Sequence, residues 1–490
     1  MPPLSGVDRK INNDNCSRLQ GKLKIGHSQT AKAYRKIMKL TFLIWPLSWY
    51  VLSGTTYGFL FEPTCIVPPG CTCTLPTINC AEKGLPRIPQ FNMTSYNMML
   101  YLKLQHNRII VVPPESLKGI HTGKLYLDMS FNNIRDIHPI AFAGLEDNIT
   151  ILNLEHNLLT TIPVAVANLS SLTMLNIHDN AIATFDAGVM RSLGTHIEVL
   201  YFGSHQMRQW PSQLQYLANL TALHVYDLGL THLPQHAFKG FQHTLINLEI
   251  DSTNLTSVPQ AVCDLLSLRI FYFNNNTNLH QRHMLPSCSR DLDHVTDVSF
   301  DNNDLTEFPR VLDLFPNVNS LSVSGNPNLT TMDIVTDNTG RLRILKLFDN
   351  GFAHVPLELG NFTLLVDIDL HGNNLTELSD GDFDQLVHIN RLDLSDNPIS
   401  KVEPNAFRDM ISLYYIGLSK TALPNLPVAL LDLHSLHSVD FLNNAVVCNC
   451  DTLSWLQNMT NINSLRVTGV CHEPFGLTVS QFMQYNLDNC

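Results

Sequence analysis

From Met99 to Val446 the chain repeats one hydrophobic pattern, L-x-x-L-x-L-x-x-N-x-L, about every 24 residues. Ile149-x-x-Leu152-x-Leu154-x-x-Asn157-x-Leu159 and Ile389-x-x-Leu392-x-Leu394-x-x-Asn397-x-Ile399 are two of fifteen such repeats. They open at Met99, Lys124, Ile149, Leu172, Ile197, Leu220, Leu245, Leu268, Val295, Val318, Leu342, Leu365, Ile389, Leu413 and Leu436. A fixed period of this length predicts a solenoid, in which each repeat contacts only its neighbours. Within each repeat the L-x-L core alternates apolar and polar positions. That predicts a short strand whose residues 4 and 6 face a shared interior. Position 9 is Asn in eleven of the fifteen repeats, where its amide can serve backbone groups of a tight turn. The remainder, as in Ala237-Phe238-Lys239-Gly240 or after Pro163, Pro234, Pro259, Pro309 and Pro356, predicts a return path of short helical turns and extended pieces. The strand side is narrower than the return side, so the stack curves. The expected class is an α/β solenoid with a parallel sheet on its concave face.

The polar positions between those leucines form the exposed wall. Position 5 runs from Lys103 to Asp440 and position 7 from Gln105 to Leu442. Tyr201, His224, Tyr226 and Tyr272 gather on repeats five to eight, beside Glu249 and Asp251. Tyrosine anchors protein interfaces because it joins large area to one hydrogen bond. An acidic band follows, with Asp297, Asp301, Asp367, Asp369, Asp393 and Asp396, and would draw a basic partner. The ligand-binding candidates are therefore Tyr201, His224, Tyr226, Glu249, Asp251, Tyr272, Asp297 and Asp301. The plainer reading makes them the solvated face that any such fold presents. The Asn pattern lapses at His205, Leu228 and Thr253, under the tyrosines. One reading is a change of curvature that shapes a pocket there; the other is drift of the repeat.

Charge and cysteine usage narrow the setting. Residues 1–58 hold nine Lys/Arg and two Asp/Glu, so the rest carries 22 basic and 41 acidic residues, a net of −19. An acidic body argues against nucleic acid as a partner, since phosphate binding needs basic stripes. Residues 38–58 have a short basic start, an apolar stretch and a small-residue exit, as in a secretory signal. The rival is a signal anchor with the preceding lysines in the cytosol. Residues 1–37 fit no signal design and read as a non-native or cytosolic leader. Ten cysteines follow the signal, an even number in clusters, which suits an oxidising compartment. Ten Asn-x-Ser/Thr acceptors follow it too: Asn92, Asn148, Asn168, Asn219, Asn254, Asn275, Asn328, Asn361, Asn374 and Asn458. Cys263 and Cys288 occupy similar return positions in neighbouring repeats, which predicts a bridge between them, with two buried thiols as the alternative. The histidines show no metal-ligand spacing, and no phosphate loop, dinucleotide fingerprint or nucleophile elbow is present, so neither cofactor, metal nor enzyme activity is expected.

Cys65-x5-Cys71-x-Cys73-x6-Cys80 precedes the first repeat, and Cys448-x-Cys450-x20-Cys471-x18-Cys490 follows the last. With these clusters over residues 65–490 the chain resembles extracellular leucine-rich-repeat proteins with cysteine-rich caps, the group of Slit, the small leucine-rich proteoglycans and Toll-type ectodomains. The resemblance implies a curved horseshoe, an N-terminal cap at 65–98, repeats at 99–446 and a C-terminal cap at 447–490. It implies the pairs Cys65–Cys73, Cys71–Cys80, Cys448–Cys471 and Cys450–Cys490, and a buried aromatic at Trp455. It also implies an extracellular protein ligand, in adhesion, guidance or receptor signalling. Innate recognition of microbial or glycan ligands and organisation of extracellular matrix are the alternatives. The chain is expected to be secreted or held on the outer cell surface, either whole or as a receptor ectodomain whose membrane segment is missing. Membrane contact is expected only through such a segment or a signal anchor.

Overall fold

The computed structural model describes residues 65–490, apart from 281–283, 335–340, 474 and 488–489. The expected leader at 1–37 and signal at 38–58 lie outside the described residues. Fifteen strands, one per repeat, run from Tyr96–Lys103 to Ser438–Asp440 and pair side by side in parallel. The register carries Leu152 onto Leu175, Leu200, Leu223 and Leu248 in successive strands. Leu152, Leu154, Leu392 and Leu394 have no exposed surface, as positions 4 and 6 require. A buried leucine is worth roughly 1.5–3 kcal/mol against leaving it in water, so this column is the main source of stability. The chain is thus a leucine-rich-repeat horseshoe with its parallel sheet on the concave face.

The return path holds short elements packed on that column. Pro163, Pro259 and Pro356 stand immediately before Val164–Ala167, Gln260–Asp264 and Leu357–Asn361, at φ near −62°. Proline fits there because its fixed φ already suits a first helical turn and its missing N–H has no partner to lose. Phe142, Phe238 and Phe407, from the Ala-Phe segments, are almost wholly buried. A longer helix at Ala187–Leu193 is capped by the Asp186 carboxylate, which accepts from the N–H groups of Gly188 and Val189.

The Asn at position 9 stitches repeats together. Asn157 Oδ1 accepts from Ile134 N at 2.9 Å, and its Nδ2 donates to Met129 O and Leu154 O, both at 3.0 Å. The residue before it takes positive φ in nearly every repeat, as at His156 (49°), Asp179 (51°) and Asn302 (56°). In repeat five the positive φ sits one place earlier, at Gly203.

Both ends are covered. The antiparallel hairpin Thr72–Thr74 and Thr77–Asn79 adds to the first repeat strand, and Arg466–Val467 adds beside Ser438–Asp440. Disulfides join Cys65 to Cys73, Cys71 to Cys80, Cys448 to Cys471 and Cys450 to Cys490, and Cys263 to Cys288 between neighbouring repeats. The buried aromatic expected at Trp455 is only half-buried, because its Nε1 donates to Thr452 O within its own turn. Leu453 and Leu456 fill the interior there instead.

Candidate functional site

The parallel register sets position 5 as one column. Tyr201 lies beside His224, His224 beside Glu249, and Glu249 beside Tyr272. Neighbouring strands are close, so their side chains interact directly. Tyr201 stacks on the His224 ring with centroids 4.0 Å apart and planes 5° from parallel. His224 Nδ1 donates to Glu249 Oε2 at 2.6 Å, and His224 is buried. Burial first, then the Glu249 charge, pushes the Tyr201 phenol up to about 12. The same causes, in the same order, raise Tyr226 further. Both phenols are therefore neutral donors at physiological pH, set in half-buried surroundings against one carboxylate.

Tyr226 belongs to column 7 and reaches further along the face. Its ring meets that of His178, two repeats away, at 4.8 Å. Gly203 stands between them. A Cβ there would lie 1.6 Å from Tyr226 O, so only glycine admits this approach.

The acidic candidates differ from one another. Asp251 accepts from Ser252 Oγ at 2.6 Å and Asn275 Nδ2 at 2.8 Å. Asp297 accepts from Thr296 Oγ1, and Asp301 from Ser322 Oγ and Ser324 N, each at 2.7 Å. Further along, Asp393 pairs with Arg391 Nη2 at 2.7 Å, Asp396 with Lys420 Nζ at 2.9 Å, and Asp369 accepts from His371 Nδ1 at 2.6 Å. Half-burial, outweighing Arg391, raises the Asp367 carboxyl. The C-terminal part of the acidic band thus carries counter-ions of its own.

Where the Asn pattern lapses, other groups take over. His205 turns outward and its Nδ1 pairs with Asp227 Oδ2 at 2.9 Å. Leu228 is buried in the core. Thr253 donates from its N–H to Asn276 Oδ1 at 3.0 Å, and its hydroxyl donates to the same oxygen. A groove of about 720 Å³ lies off the concave wall, along the strand starts, against Lys124, Thr150, Thr173, Glu198 and Thr221.

The sequence reading missed Glu155, His156, His178 and Asp179, which occupy positions 7 and 8 of repeats three and four. His156 Nε2 meets Asp179 Oδ2 at 2.8 Å, and His178 Nε2 faces Glu155 Oε1 at 3.4 Å and Asp179 Oδ2 at 3.6 Å. Burial outweighs both carboxylates and holds His178 below the usual imidazole range. The signal was available: Glu155-His156 and His178-Asp179 are separated by one repeat period, which makes them neighbours in space.

Models of the leucine-rich repeat match residues 126–182 and 388–410. The rat leucine-rich repeat-containing G-protein coupled receptor 5 is 31% identical over 140 residues, covering 29% of this chain but only 15% of the receptor. Zebrafish keratocan is 26% identical over 326 residues, covering 62% of this chain and 88% of keratocan. The crystal structure of a TLR13–ssRNA13 complex superposes with a TM-score of 0.56 at 18% identity, over 82% of this chain and 64% of that one. That likeness concerns the fold. Two repeat matches, such relatives and a parallel-strand horseshoe closed by disulfides at both ends make the chain a leucine-rich-repeat protein, similar to the extracellular group with cysteine-rich caps.

Proposed function

We propose that the chain acts outside the cell as a rigid binding module that recognises another extracellular protein through its concave wall, in adhesion, guidance or receptor signalling, and that it performs no catalysis. The observation that carries this reading is the set Tyr201, His224, Tyr226, Glu249 and Tyr272, buried or half-buried and held in register on four neighbouring strands with little freedom to lose on binding. Five disulfides support an oxidising compartment. The ten glycosylation acceptors are exposed, with Asn148 half-buried, which leaves them within reach of a glycan transferase. Asn275, at the edge of the wall, would carry a glycan beside Asp251. The net charge of −19 outside residues 1–58 weighs against nucleic acid.

A screen of the secreted chain against extracellular protein and glycan arrays tests this. Capture of a protein ectodomain, with binding lost in the Tyr201→Ala, Tyr226→Ala, Tyr272→Ala triple variant, is the expected result. Full retention of binding in that variant removes the proposed face. Binding to polysaccharide alone would favour microbial or glycan recognition, and co-sedimentation with fibrils would favour matrix organisation.

A further inference from the structure

Repeats one to three differ from the others along the edge where the strands end. Position 8 there carries three rings in a row, with Phe131 between His106 at 4.5 Å and His156 at 4.3 Å. All three take left-handed backbone, at φ 56°, 51° and 49° in chain order. Other repeats place Asp179, Asn275 or Asn302 at this position, polar residues that tolerate such a backbone. A phenylalanine gains nothing from it, and this ring is 38% exposed. A large apolar side chain held open to solvent on strained backbone points to a use outside the fold. More apolar surface lies beside it. Ile110 is 51% exposed, and Val111 and Leu158 are exposed too. Asn133 N donates to Ile109 O, Arg135 N to Ile110 O and Leu158 N to Ile134 O, each at 2.9 Å. Those bonds set Arg108, Asn133 and Leu158 in one row and Ile110 and Arg135 in the next.

The same edge is basic. Residues 65–140 hold seven Lys/Arg against four Asp/Glu, while residues 141–490 hold 15 against 36. Lys83, Arg87, Arg108 and Arg135 are exposed, and among the described residues none of the four has a carboxylate partner. Arg108 N donates to Leu85 O at 2.9 Å, which brings the cap segment with Lys83 and Arg87 alongside. Opposing charges are few. Glu82 lies in the cap, Asp136 pairs in register with Val111, and Asp179, which closes the ring ladder on the repeat-four side, is held by His156 at 2.8 Å. The edge is also free of carbohydrate acceptors. Asn254 and Asn374 stand at position 10 of repeats seven and twelve, and Asn275 at position 8 of repeat eight, so glycans on them would coat the same edge further along. In repeats one to six no acceptor falls between positions 8 and 13.

We propose that this edge of repeats one to three is a docking surface for an acidic segment of another protein, one that carries aliphatic or aromatic side chains among its carboxylates. The apolar side chains cover Phe131, Ile110 and Leu158. The carboxylates meet Arg108 and Arg135, whose planar guanidinium groups each hold one through two parallel bonds. The ring ladder favours the same partner. Both faces of Phe131 are covered, so only its edge is open, and a ring edge carries the positive end of the quadrupole. Nucleobases need a free ring face to stack on, and Phe131 offers none. The acidic remainder of the chain repels an acidic segment and leaves the N-terminal repeats as its landing place. This surface is separate from the tyrosine face and does not depend on it.

The test pans a display library of random dodecapeptides on the full secreted chain and measures synthetic copies of the recovered peptides by fluorescence anisotropy. Acidic peptides with interspersed aliphatic or aromatic residues should be recovered. Their affinity should fall about tenfold or more in Arg108→Gln with Arg135→Gln, and by less than about twofold in Arg269→Gln with Arg343→Gln, which removes two cations outside the edge. Recovery of no acidic peptide overturns the proposal. So do acidic peptides that bind the first variant as well as the wild type, or that lose equal affinity in both variants. Binding of a single-stranded oligothymidylate that the first variant loses makes the partner a nucleic acid and also overturns it. A dimer in sedimentation velocity that the first variant abolishes makes the occupant a second copy, with the same consequence. Both arginines of the first variant are exposed, so its far-ultraviolet dichroism and urea midpoint are to match the wild type. Should they not, Phe131→Asn suits the left-handed backbone, keeps every charge and removes the ring. It is expected to weaken the acidic peptides about fivefold, and no change there overturns the proposal. Retained binding in the Tyr201, Tyr226, Tyr272 alanine variant keeps this test separate from that of the tyrosine face.

Discussion

Replacing Asn157 by alanine isolates one rung of the inter-repeat stitching. Asn157 is 5% exposed and makes four bonds: Ile134 N donates to its Oδ1, and its Nδ2 donates to Met129 O, Leu154 O and Glu155 O. The losses are unequal. Met129 O keeps a donor in Asn132 Nδ2 at 3.1 Å, and Leu154 O keeps Asn180 Nδ2 at 2.9 Å. Only the Ile134 N–H is stranded, in a buried place. A buried unsatisfied donor costs about 1–3 kcal/mol, and the weakened carbonyl contacts add about 1 more, so the expected loss is about 2–3 kcal/mol. Repeats contact only their neighbours, so the effect should be local before it is global. Hydrogen exchange at the Ile134 amide is the direct assay, and a loss of 2 kcal/mol is roughly 30-fold in the opening constant. Leu228→Asn is the control. There the equivalent amide, Met207 N–H, already donates to Ser204 O at 2.9 Å. Placing the consensus Asn there should not stabilise at all but cost about 2 kcal/mol or more, since no donor is waiting and a buried leucine is lost. If Asn157→Ala left Ile134 exchange unchanged, or if Leu228→Asn stabilised as much as Asn157→Ala destabilised, the rung account would be wrong.

Two further outcomes follow from the concave wall. Gly203→Ala should cost several kcal/mol, of the order seen when a residue is forced into backbone it cannot enter, because its φ is 154° and its Cβ would overlap Tyr226 O; urea unfolding measures it, and a loss under about 1 kcal/mol refutes the close approach. Tyr201, at about 12 against an ordinary 10.0, should stay protonated while other phenols ionise, so phenolate absorbance near pH 10 should be the same in Tyr201→Phe. The sign of the linked stability is negative: the unfolded chain gives up the proton first, so stability falls as pH climbs from about 10 to about 12, and a Tyr201→Phe chain should show a shallower fall.

Much of this architecture is legible in the sequence, because a solenoid turns period into position. The strand, the leucine column and the column from Lys103 to Asp440 follow from counting, since parallel strands in constant register put equal positions side by side. The cross-repeat bridge Cys263–Cys288 is readable for the same reason. What the pattern hides is pairing between columns. Asp369, Asp393 and Asp396 look like free charge in a list, yet His371, Arg391 and Lys420 answer them in space. Glu155 and Asp179 look like free charge too, but one repeat period sets His156 and His178 against them in space. Trp455 matches the cap pattern by spacing, while its own turn offers Thr452 O and holds the indole half outside.

The lapse in the Asn pattern and the aromatic face are joined by one backbone change. In repeats three and four the positive φ falls at position 8, on His156 and Asp179, and position 7 keeps a side chain. In repeat five it falls at position 7 instead, on Gly203. That shift removes a side chain from the wall, and it also turns Ser204 inward, where its carbonyl serves Met207 N–H and its hydroxyl accepts from Gln206 N. Met207 N–H then needs no amide from the next repeat, which lets Leu228 stand at position 9 as a core residue, while His205 faces solvent beside Asp227. The vacated place on the wall is what Tyr226 crosses to meet His178. The tyrosine set on repeats five to eight and the carboxylate–histidine set on repeats three and four are therefore one continuous surface, hinged on a glycine. A substitution that restores a side chain at 203 should push the Tyr226 backbone away and so uncouple the two sets.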